Sequence, residues 1–526
     1  MEEHRHRARI CIPICESRAS ELAREVARAT AEADLIELRM DCLSGVELAL
    51  GMRYLDDFPG GATERPLILT LRPAEQGGAR EIDILNRLSF WVERFLYDDR
   101  YEGFADIELE LLQLIRQSED TRWRQLDWTR VICSHHDFTG VPATLAEIYE
   151  RMASTPARIL KLAVRARDAT DCIPVFQLLE RARQEGREMI AIAMGEAGFA
   201  TRILGPSRGS FLTYASLGPA QATAPGQITA RALRDLYRVR EIDRRTQIMG
   251  LMGQPVTHSV SPQIHNAAFA ALGMNAVYLP LEVRDARAFL RRMVHPAMRE
   301  LDWNLRGLSV TAPHKSAVLE ALDEVDPCAR ETGAVNTIVV GDERLAGYNT
   351  DAAAFLEPLR SRLGPLGGAR CALIGSGGAA RSALWALQKE GAQVTVFARD
   401  AEKAGALAGR FGASFAPLEG ALFDGFDLVV NSTPLGTLGP NEGETPAMAH
   451  QLRGARLAYD LVYNPPMTRF MREAEEAGCA GLGGLAMLVA QAAEQFRLWS
   501  GRDAPLDLMR EAAERALFPP PLQDSP

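Results

Sequence analysis

Several absences narrow the field. No basic block longer than a few residues occurs in the 526-residue chain, and its net charge is −10. The concentrated positive face that holds a nucleic-acid backbone is therefore missing. No stretch approaches the ~20 uninterrupted apolar residues of a membrane-spanning helix. The opening segment Met1-Glu-Glu-His-Arg-His-Arg-Ala-Arg9 has no apolar core behind its charges, so a secretory signal is not expected there. Eight cysteines are scattered at Cys11, Cys15, Cys42, Cys133, Cys172, Cys328, Cys371 and Cys479. They include no Cys-x-x-Cys pair and no His/Cys ligand spacing, which argues against structural zinc. The same scatter fits a reducing, cytoplasmic setting in which most thiols fill the core. No internal repeat, low-complexity segment or Gly/Ser linker is present.

What is present is a large globular composition, 47 % apolar and 24 % charged. The chain is too long for one core, and two to four domains are expected. Short apolar runs near residues 8–15, 34–40, 66–71, 104–109, 130–135, 158–164, 188–194 and 210–215 read as strands. Helical patterns such as Ser20–Ala33, Ala143–Met152 and Ile173–Glu185 separate most of them. Eight strands in a βα series predict a (β/α)8 barrel, with an open doubly wound sheet as the alternative. A charged helix over Thr229–Arg245 is expected to close this unit. A second α/β pattern begins at Gln247-Ile-Met-Gly-Leu-Met-Gly253 and runs to a Pro-rich tail, Phe518-Pro-Pro-Pro-Leu522.

In the first half, Lys161 stands alone in the apolar run Ala157-Arg-Ile-Leu-Lys-Leu-Ala-Val164. An ammonium so placed loses hydration, and its pKa is expected to fall until the neutral amine is available. His136, in Ser134-His-His-Asp-Phe138, supplies an imidazole that moves protons at the same pH. Other polar residues fall at successive strand ends, where barrel chemistry sits. They are Glu37, Arg39 and Asp41, then Arg72 with Gln76-Gly77-Gly78, Asp106-Ile-Glu108, Arg202, and the turn Thr223-Ala-Pro-Gly-Gln227. Two arginines at one mouth suit a carboxylate substrate.

Taken together, Glu-x-Arg-x-Asp, Arg72 with Gly77-Gly78, Ser-x-His-Asp-Phe, Lys161, Arg202 and the Ala-Pro-Gly-Gln turn resemble type I 3-dehydroquinate dehydratase, over about residues 8–237. The resemblance implies a Schiff base on Lys161 and His136 as general base. It makes Glu37, Arg39, Arg72, Arg202, Thr223 and Gln227 binding residues, with Thr223 where that family commonly has serine. Gln76 occupies the place of a glutamate paired with the histidine. A glutamine orients an imidazole but cannot stabilise its cation by charge, so a lower pKa is expected for His136 than in relatives.

In the second half, Arg370-Cys-Ala-Leu-Ile-Gly375-Ser-Gly-Gly-Ala-Ala-Arg381 is a strand entering a glycine turn and a helix. Such a turn lets a pyrophosphate approach backbone amides at a helix start. Gly375, Ser376, Gly377, Gly378 and Ala379 are the expected contacts. The next strand ends at Arg399, which favours a 2′-phosphate and hence NADP, while Asp400 keeps NAD open. A polar constellation accompanies the turn, comprising Ser259-Val-Ser261-Pro, Ser309 to Lys315 with Thr311, Gly333-Ala-Val-Asn336, Asn349-Thr-Asp351 and Gly484 to Gln491.

These segments, with Asn431-Ser-Thr433-Pro-Leu-Gly and Tyr459-Asp-Leu-Val-Tyr463-Asn-Pro, resemble shikimate dehydrogenase over about residues 247–515. That resemblance implies Lys315 and Asp351 as the catalytic pair and Ser259 and Ser261 as carboxylate ligands. Thr311, Asn336, Tyr463 and Gln491 would hold hydroxyls or the cofactor edge, and Asn431 and Thr433 would line the cofactor. Ala352 and Ala398 depart from the usual glycine and asparagine.

The expected architecture is an N-terminal (β/α)8 barrel over 8–237, then a two-lobed α/β unit. Its substrate lobe spans 247–355, completed by about 485–515, and its Rossmann lobe spans 366–484. The implied activity is bifunctional: 3-dehydroquinate loses water to give 3-dehydroshikimate, which NADPH reduces to shikimate. The alternatives are a catabolic quinate/shikimate dehydrogenase using NAD, and an inactive ligand-sensing regulator with the same folds. Partners are small molecules, with neither nucleic acid nor membrane.

Overall fold

The computed structural model of the protein describes residues 8–57, 64–92, 94, 103–118 and 126–518. Both the first seven residues and the Pro-rich tail from 519 lie outside that range. The main chain divides at Thr246/Gln247 into two compact units, with Leu279–Asp285 and Glu300–Asn304 grouping with the first.

The first unit alternates strands and helices: β1 (Ile10–Ile14), α1 (Ala19–Glu32), β2 (Leu35–Arg39), α2 (Gly45–Asp57), β3 (Leu67–Thr70), α3 (Ile84–Trp91), β4 (Phe104–Glu108), α4 (Leu109–Gln117), β5 (Val131–Asp137), α5 (Leu145–Ala153), β6 (Ile159–Arg165), α6 (Cys172–Gln184), β7 (Glu188–Met194), α7 (Phe199–Leu204) and β8 (Thr213–Ser216). The strands are parallel neighbours in the order β7-β6-β5-β4-β3-β2-β1-β8, with the two-residue β9 (Ile228–Thr229) beyond β8. A lone bridge, Met189↔Ser210, brings the approach to β8 against β7, where Phe211 N–H donates to Met189 O at 2.7 Å. The sheet thus curls round as expected for the barrel.

Strand alternation places one residue in two inside the curl. The floor is apolar, with Cys11, Leu35, Ile68, Ile132, Ile159, Ile190 and Leu212 in one cluster. Each such Leu or Ile contributes about 1.5–3 kcal/mol on burial. Helices pack outside by their apolar stripes, as α1 does with Leu22, Val26 and Ala29.

Two expectations fail here. Thr229–Arg245 does not form one helix: winding stops after a π turn over Ala232–Leu236. Arg238 then adopts φ +49°, a left-handed conformation that ends helical propagation. The cysteines are not all thiols either, since Cys15 and Cys42 form a disulfide with Cα atoms 5.5 Å apart. Cys15 follows directly on β1 and Cys42 ends the short turn after β2, and the two strands pair at Ile14↔Leu38. Spacing in the sequence does not reveal that neighbourhood. The other six cysteines are free, and only Cys328 among them is less than fully buried.

The second unit holds two six-stranded sheets. The first has the order β11-β10-β12-β14-β15-β13, from β10 (Gln247–Gly253), β11 (Ala276–Glu282), β12 (Leu305–Val310), β13 (Glu324–Val325), β14 (Thr337–Val340) and β15 (Leu345–Tyr348). Helix α8 (Ser261–Ala271) opens with Pro262 in its first turn, where a missing N–H costs nothing. Short helices α9 (Ala286–Phe289) and α10 (Pro327–Thr332) follow, then α11 (Asp351–Leu363). The second sheet is wholly parallel, in the order β18-β17-β16-β19-β20-β21. Its elements are β16 (Arg370–Ile374), α12 (Gly378–Lys389), β17 (Gln393–Ala398), α13 (Ala401–Phe411), β18 (Ser414–Pro417), β19 (Leu428–Asn431), α14 (Ala449–Leu452), β20 (Leu457–Asp460), α15 (Arg469–Glu476) and β21 (Ala480–Leu482). The chain ends with α16 (Leu485–Ser500) and α17 (Leu506–Leu517), and α16 packs against α8, α11, β12 and β14.

Alkylation of the denatured, unreduced protein is expected to label six of the eight cysteines, and all eight after reduction. Reduction should also lower the denaturant midpoint of the first unit, because closing a loop of 27 residues is worth about 3–4 kcal/mol. Eight labelled thiols before reduction would disprove the bridge.

Candidate active sites

A cavity at the carboxyl ends of the first unit's strands is lined by Glu37, Arg39, Arg72, Gln76, His136, Lys161, Arg202, Tyr214, Thr223 and Gln227, among others. Every binding or catalytic residue named from the sequence for this half thus reaches one place. Lys161 is 5 % exposed, as expected of a lysine in β6, but its surroundings are not purely apolar. Its Nζ donates to Asp106 Oδ2 at 2.7 Å and to Glu37 Oε1 at 3.0 Å, and lies 4.4 Å from the Tyr214 ring centroid. Two carboxylates, from β2 and β4, project inward by the same alternation and pair with Lys161 Nζ.

Arg72 ties the cluster together. Its Nη2 donates to Asp106 Oδ2 at 2.7 Å, its Nη1 donates to Ser134 Oγ at 2.7 Å, and Nη1 stands 3.2 Å from His136 Nδ1. Burial pushes the Asp106 carboxyl up, but the Arg72 and Lys161 cations outweigh it and hold the group down at about 2. Burial, and then the Arg72 and Lys161 charges, push His136 well below the ordinary histidine range. Gln76 does not touch the imidazole. Its Oε1 accepts from the His136 backbone N–H at 2.9 Å and its Nε2 donates to Glu110 at 3.2 Å. Arg39 is a bidentate partner of Asp41, at 2.8 and 2.7 Å. Asp41 also accepts from Ala79 N–H at 2.9 Å, which fixes the Gly77-Gly78 loop. A Cβ at Gly78 would lie 1.9 Å from Arg72 O, so only glycine fits.

Arg202 is different. It lies on α7 rather than in a loop, is 1 % exposed, and donates to Pro225 O at 3.1 Å, while its Nε has no partner. Burial alone pushes its pKa down to about 10. Among the described residues no carboxylate pairs with it. A buried guanidinium without a carboxylate partner, in the same cavity lining as Thr223 and Gln227, has the chemistry to accept an anion. Thr223 N–H donates to Gln227 Oε1 at 2.7 Å.

In the second unit, Lys315 Nζ donates to Asp351 Oδ2 at 2.5 Å, and Asn336 Nδ2 donates to Asp351 Oδ1 at 2.7 Å. Asn336 Nδ2 also lies 3.4 Å from Gln491 Oε1 on α16. Ser259 Oγ donates to Ser261 Oγ at 3.0 Å. Burial raises the Tyr463 phenol, with Ser259 beside it pulling the other way. Thr311 follows β12, its N–H donating to Met252 O at 3.0 Å.

The glycine turn reaches the same place, since a Cβ on Gly378 would meet Lys315 Cδ at 3.6 Å. Gly375 has φ +120°, and a Cβ there would sit 2.5 Å from Ser432 Oγ. No side chain caps α12 at Gly377, so the first-turn N–H groups beyond Ser376, including Ala379, are available to a phosphate. Arg399 follows directly on β17 and is exposed. Asp400 caps α13 through Lys403 N–H at 3.0 Å and pairs with Lys403 Nζ at 3.1 Å. Asn431 and Thr433, expected against the cofactor, share the hydrogen bonds of the turn that follows β19. Asn431 is fully buried, donates to Asp460 Oδ1 at 2.9 Å, and accepts from Thr433 Oγ1 at 2.7 Å.

Sequence reasoning gave Asp106 no role, although its inward parity with Glu37 and Lys161 was a usable signal. Tyr214 was missed altogether, as an aromatic in an apolar strand carries no such mark.

Comparison with known proteins gives three family matches: type I 3-dehydroquinase over residues 10–244, the shikimate dehydrogenase substrate binding domain over 251–338, and the shikimate 5′-dehydrogenase C-terminal domain over 484–514. The chain is 33 % identical over 522 residues to the chloroplastic bifunctional 3-dehydroquinate dehydratase/shikimate dehydrogenase of Arabidopsis thaliana, covering 95 % of this chain and 83 % of the relative. It is 42 % identical over 286 residues to the shikimate dehydrogenase (NADP(+)) of Methanopyrus kandleri, covering 52 % of this chain and 96 % of the relative. Among solved structures, shikimate 5-dehydrogenase from Thermus thermophilus in complex with NADP(H) and shikimate is 38 % identical, covering 52 % of this chain and 100 % of that one, with a TM-score of 0.47.

Arg202→Met is expected to leave the thermal midpoint of the ligand-free protein unchanged or raised, because no ion pair is lost. It should weaken binding of a hydroxylated carboxylate by about ten- to a hundredfold, the worth of a charged hydrogen bond. Calorimetric titration checks the affinity, and unchanged affinity would remove Arg202 from the receptor.

Proposed function

The chain belongs to the family of bifunctional 3-dehydroquinate dehydratase/shikimate dehydrogenases, and from that membership we propose how its two sites divide the work. The first unit removes water from 3-dehydroquinate to give 3-dehydroshikimate. The second reduces 3-dehydroshikimate to shikimate with NADPH. The observation that carries the reading is the pairing, in one cavity, of a buried lysine with a buried guanidinium that lacks an anion.

In the first site the substrate carboxylate completes Arg202, and Thr223 and Gln227 hold hydroxyls. This seats the ketone beside Lys161. The amine forms a C–N bond with the carbonyl carbon, water leaves, and the resulting iminium acidifies the adjacent C–H. His136, held neutral by burial and by neighbouring cations, takes that proton and returns it to the departing hydroxyl. Imine hydrolysis frees the product and regenerates Lys161. Glu37, Arg39 and Arg72 keep the cluster in register.

In the second site NADPH supplies a hydride. Amides from Gly375 to Ala379 would hold its pyrophosphate and Arg399 its 2′-phosphate. Asp400 is committed to Lys403 and the start of α13, which favours NADP over NAD. Ser259 and Ser261 hold the carboxylate, and Asn336, Tyr463, Thr311 and Gln491 surround the ring hydroxyls. Lys315, aligned by Asp351, gives a proton to the carbonyl oxygen. We read residues 247–355 with about 485–515 as the substrate lobe and 366–484 as the nucleotide lobe. The reading includes a cytoplasmic setting, which the six free thiols support and the Cys15–Cys42 bridge does not. Among the described residues no helix is long and apolar enough to cross a membrane.

Three outcomes test this. The purified protein should convert 3-dehydroquinate to shikimate when given NADPH. Lys161→Ala should abolish the first step and leave the second intact. Lys315→Ala should do the reverse, slowing reduction by about 10²–10⁴-fold. Loss of both activities in either variant would contradict independent sites. Gln76→Glu places a carboxylate at the His136 backbone and favours the imidazolium, so the acid limb of the dehydration profile should move to higher pH. An unmoved limb would show that position 76 does not tune the base.

A further inference from the structure

Reduction requires two deliveries at one carbonyl, a hydride to carbon and a proton to oxygen. In the second unit these come from different sheets. The cofactor's pyrophosphate is assigned to the turn between β16 and α12, whereas Lys315 follows β12 and Asp351 opens α11. A slip of ~1 Å between reacting groups costs on the order of a hundredfold in rate. The cofactor turn and the lysine therefore need a common frame.

Two adjacent residues of α12 reach across. Arg381 is partly buried, and its guanidinium goes to neutral acceptors. Its Nη2 donates to Ser316 Oγ at 2.8 Å and its Nη1 to Gly333 O at 3.3 Å. Ser382 is fully buried, and its Oγ accepts from Asn349 Nδ2 at 2.9 Å. Ser316 is the neighbour of Lys315, and Asn349 stands two residues before Asp351. Each contact thus lands beside one member of the proposed catalytic pair. The segment Gly333-Ala-Val-Asn336 passes the hold on. Asn349 Nδ2 also donates to Ala334 O at 2.8 Å, and Val335 N–H donates to Lys315 O at 2.7 Å. Asn336 Nδ2 then donates to Asp351 Oδ1 at 2.7 Å. Packing adds to these bonds, because Gly378 at the start of α12 lies against the Lys315 side chain.

We propose that Arg381 and Ser382 are positioning residues for the reduction, keying Lys315 and Asp351 to the helix whose start receives the cofactor's pyrophosphate. The step itself balances without them. A hydride from NADPH is added to the carbonyl carbon, leaving NADP⁺, and the carbonyl π pair moves to oxygen. That oxygen takes its proton from Lys315 Nζ, which is left as the amine. Arg381 and Ser382 keep Nζ in line with the carbonyl oxygen at the moment the hydride arrives. A planar guanidinium fork suits two acceptors at once, which a lysine ammonium serves less well.

This inference rests on reduction of 3-dehydroshikimate at the second site, so native turnover with NADPH is the reference. Arg381→Met should lower kcat for reduction about ten- to a hundredfold, as expected for the loss of a hydrogen bond from a charged group. KM for 3-dehydroshikimate and the affinity for NADPH, read by fluorescence titration, should stay native. That unchanged affinity also shows the second unit to be folded. NADPH deuterated at the transferred hydrogen should give an isotope effect on kcat at least as large as the native one, because the chemical step is what slows. Ser382→Ala should act in the same direction by about fivefold, and Arg381→Lys should recover part of the loss. Dehydration of 3-dehydroquinate should be native in all three variants. A native kcat in Arg381→Met overturns the inference. So does weakened NADPH binding with native kcat at saturation, which would make Arg381 a cofactor ligand, or slower turnover with a smaller isotope effect. If Arg381→Met fails to fold, a native kcat in Ser382→Ala overturns it equally. A native protein that cannot reduce 3-dehydroshikimate would instead overturn the reading of the second site.

Discussion

Asp106 Oδ2 accepts from Lys161 and from Arg72, each at 2.7 Å, and this shared oxygen organises the first site. Four charged side chains, Glu37, Arg72, Asp106 and Lys161, sit almost wholly out of water above an apolar floor. Isolated, each would cost several kcal/mol; paired, two cations and two carboxylates largely offset that cost. Withdrawing one partner strands another, at about 3–5 kcal/mol. The arrangement is therefore stiff. It fixes Lys161 Nζ and the His136 ring in one frame, because Arg72 touches both Asp106 and His136.

Against that balanced cluster stands one imbalance. Arg202 has no counter-ion among the described residues, and in the proposed reaction a ligand carboxylate completes it. Binding energy at that remote end can then hold the ketone against a preorganised amine, which is how binding assists a reaction at another atom. In the second unit the polar groups are closed on each other instead. Asp351 spends one oxygen on Lys315 and the other on Asn336, so the lysine is aimed before anything binds.

Much of this was legible in the sequence, for physical reasons that differ by residue. The eight strands of the first unit declared themselves because parallel strands buried on both faces read as unbroken apolar runs. Polar residues at their ends stood out against those runs. Gly375 was legible because a strand, a positive-φ turn and a helix start leave a local pattern. Other features depend on which strands become neighbours. The ion pairs of Lys161 link β6 to β2 and β4, and the Cys15–Cys42 bridge links the ends of β1 and β2. No spacing encodes either. The region after β9 misled because helical composition does not reveal the left-handed break at Arg238.

Asp400 has a consequence for altering coenzyme preference. The acid next to Arg399 in the chain is already employed as a helix cap, so under the proposed binding mode a redesign toward the unphosphorylated dinucleotide cannot simply delete Arg399. It must also detach Lys403 and provide α13 with another cap, or the new binding mode would come with a frayed helix. Drift in one residue at a time would meet a weakened intermediate, so the proposed selectivity would be guarded by architecture as well as by charge.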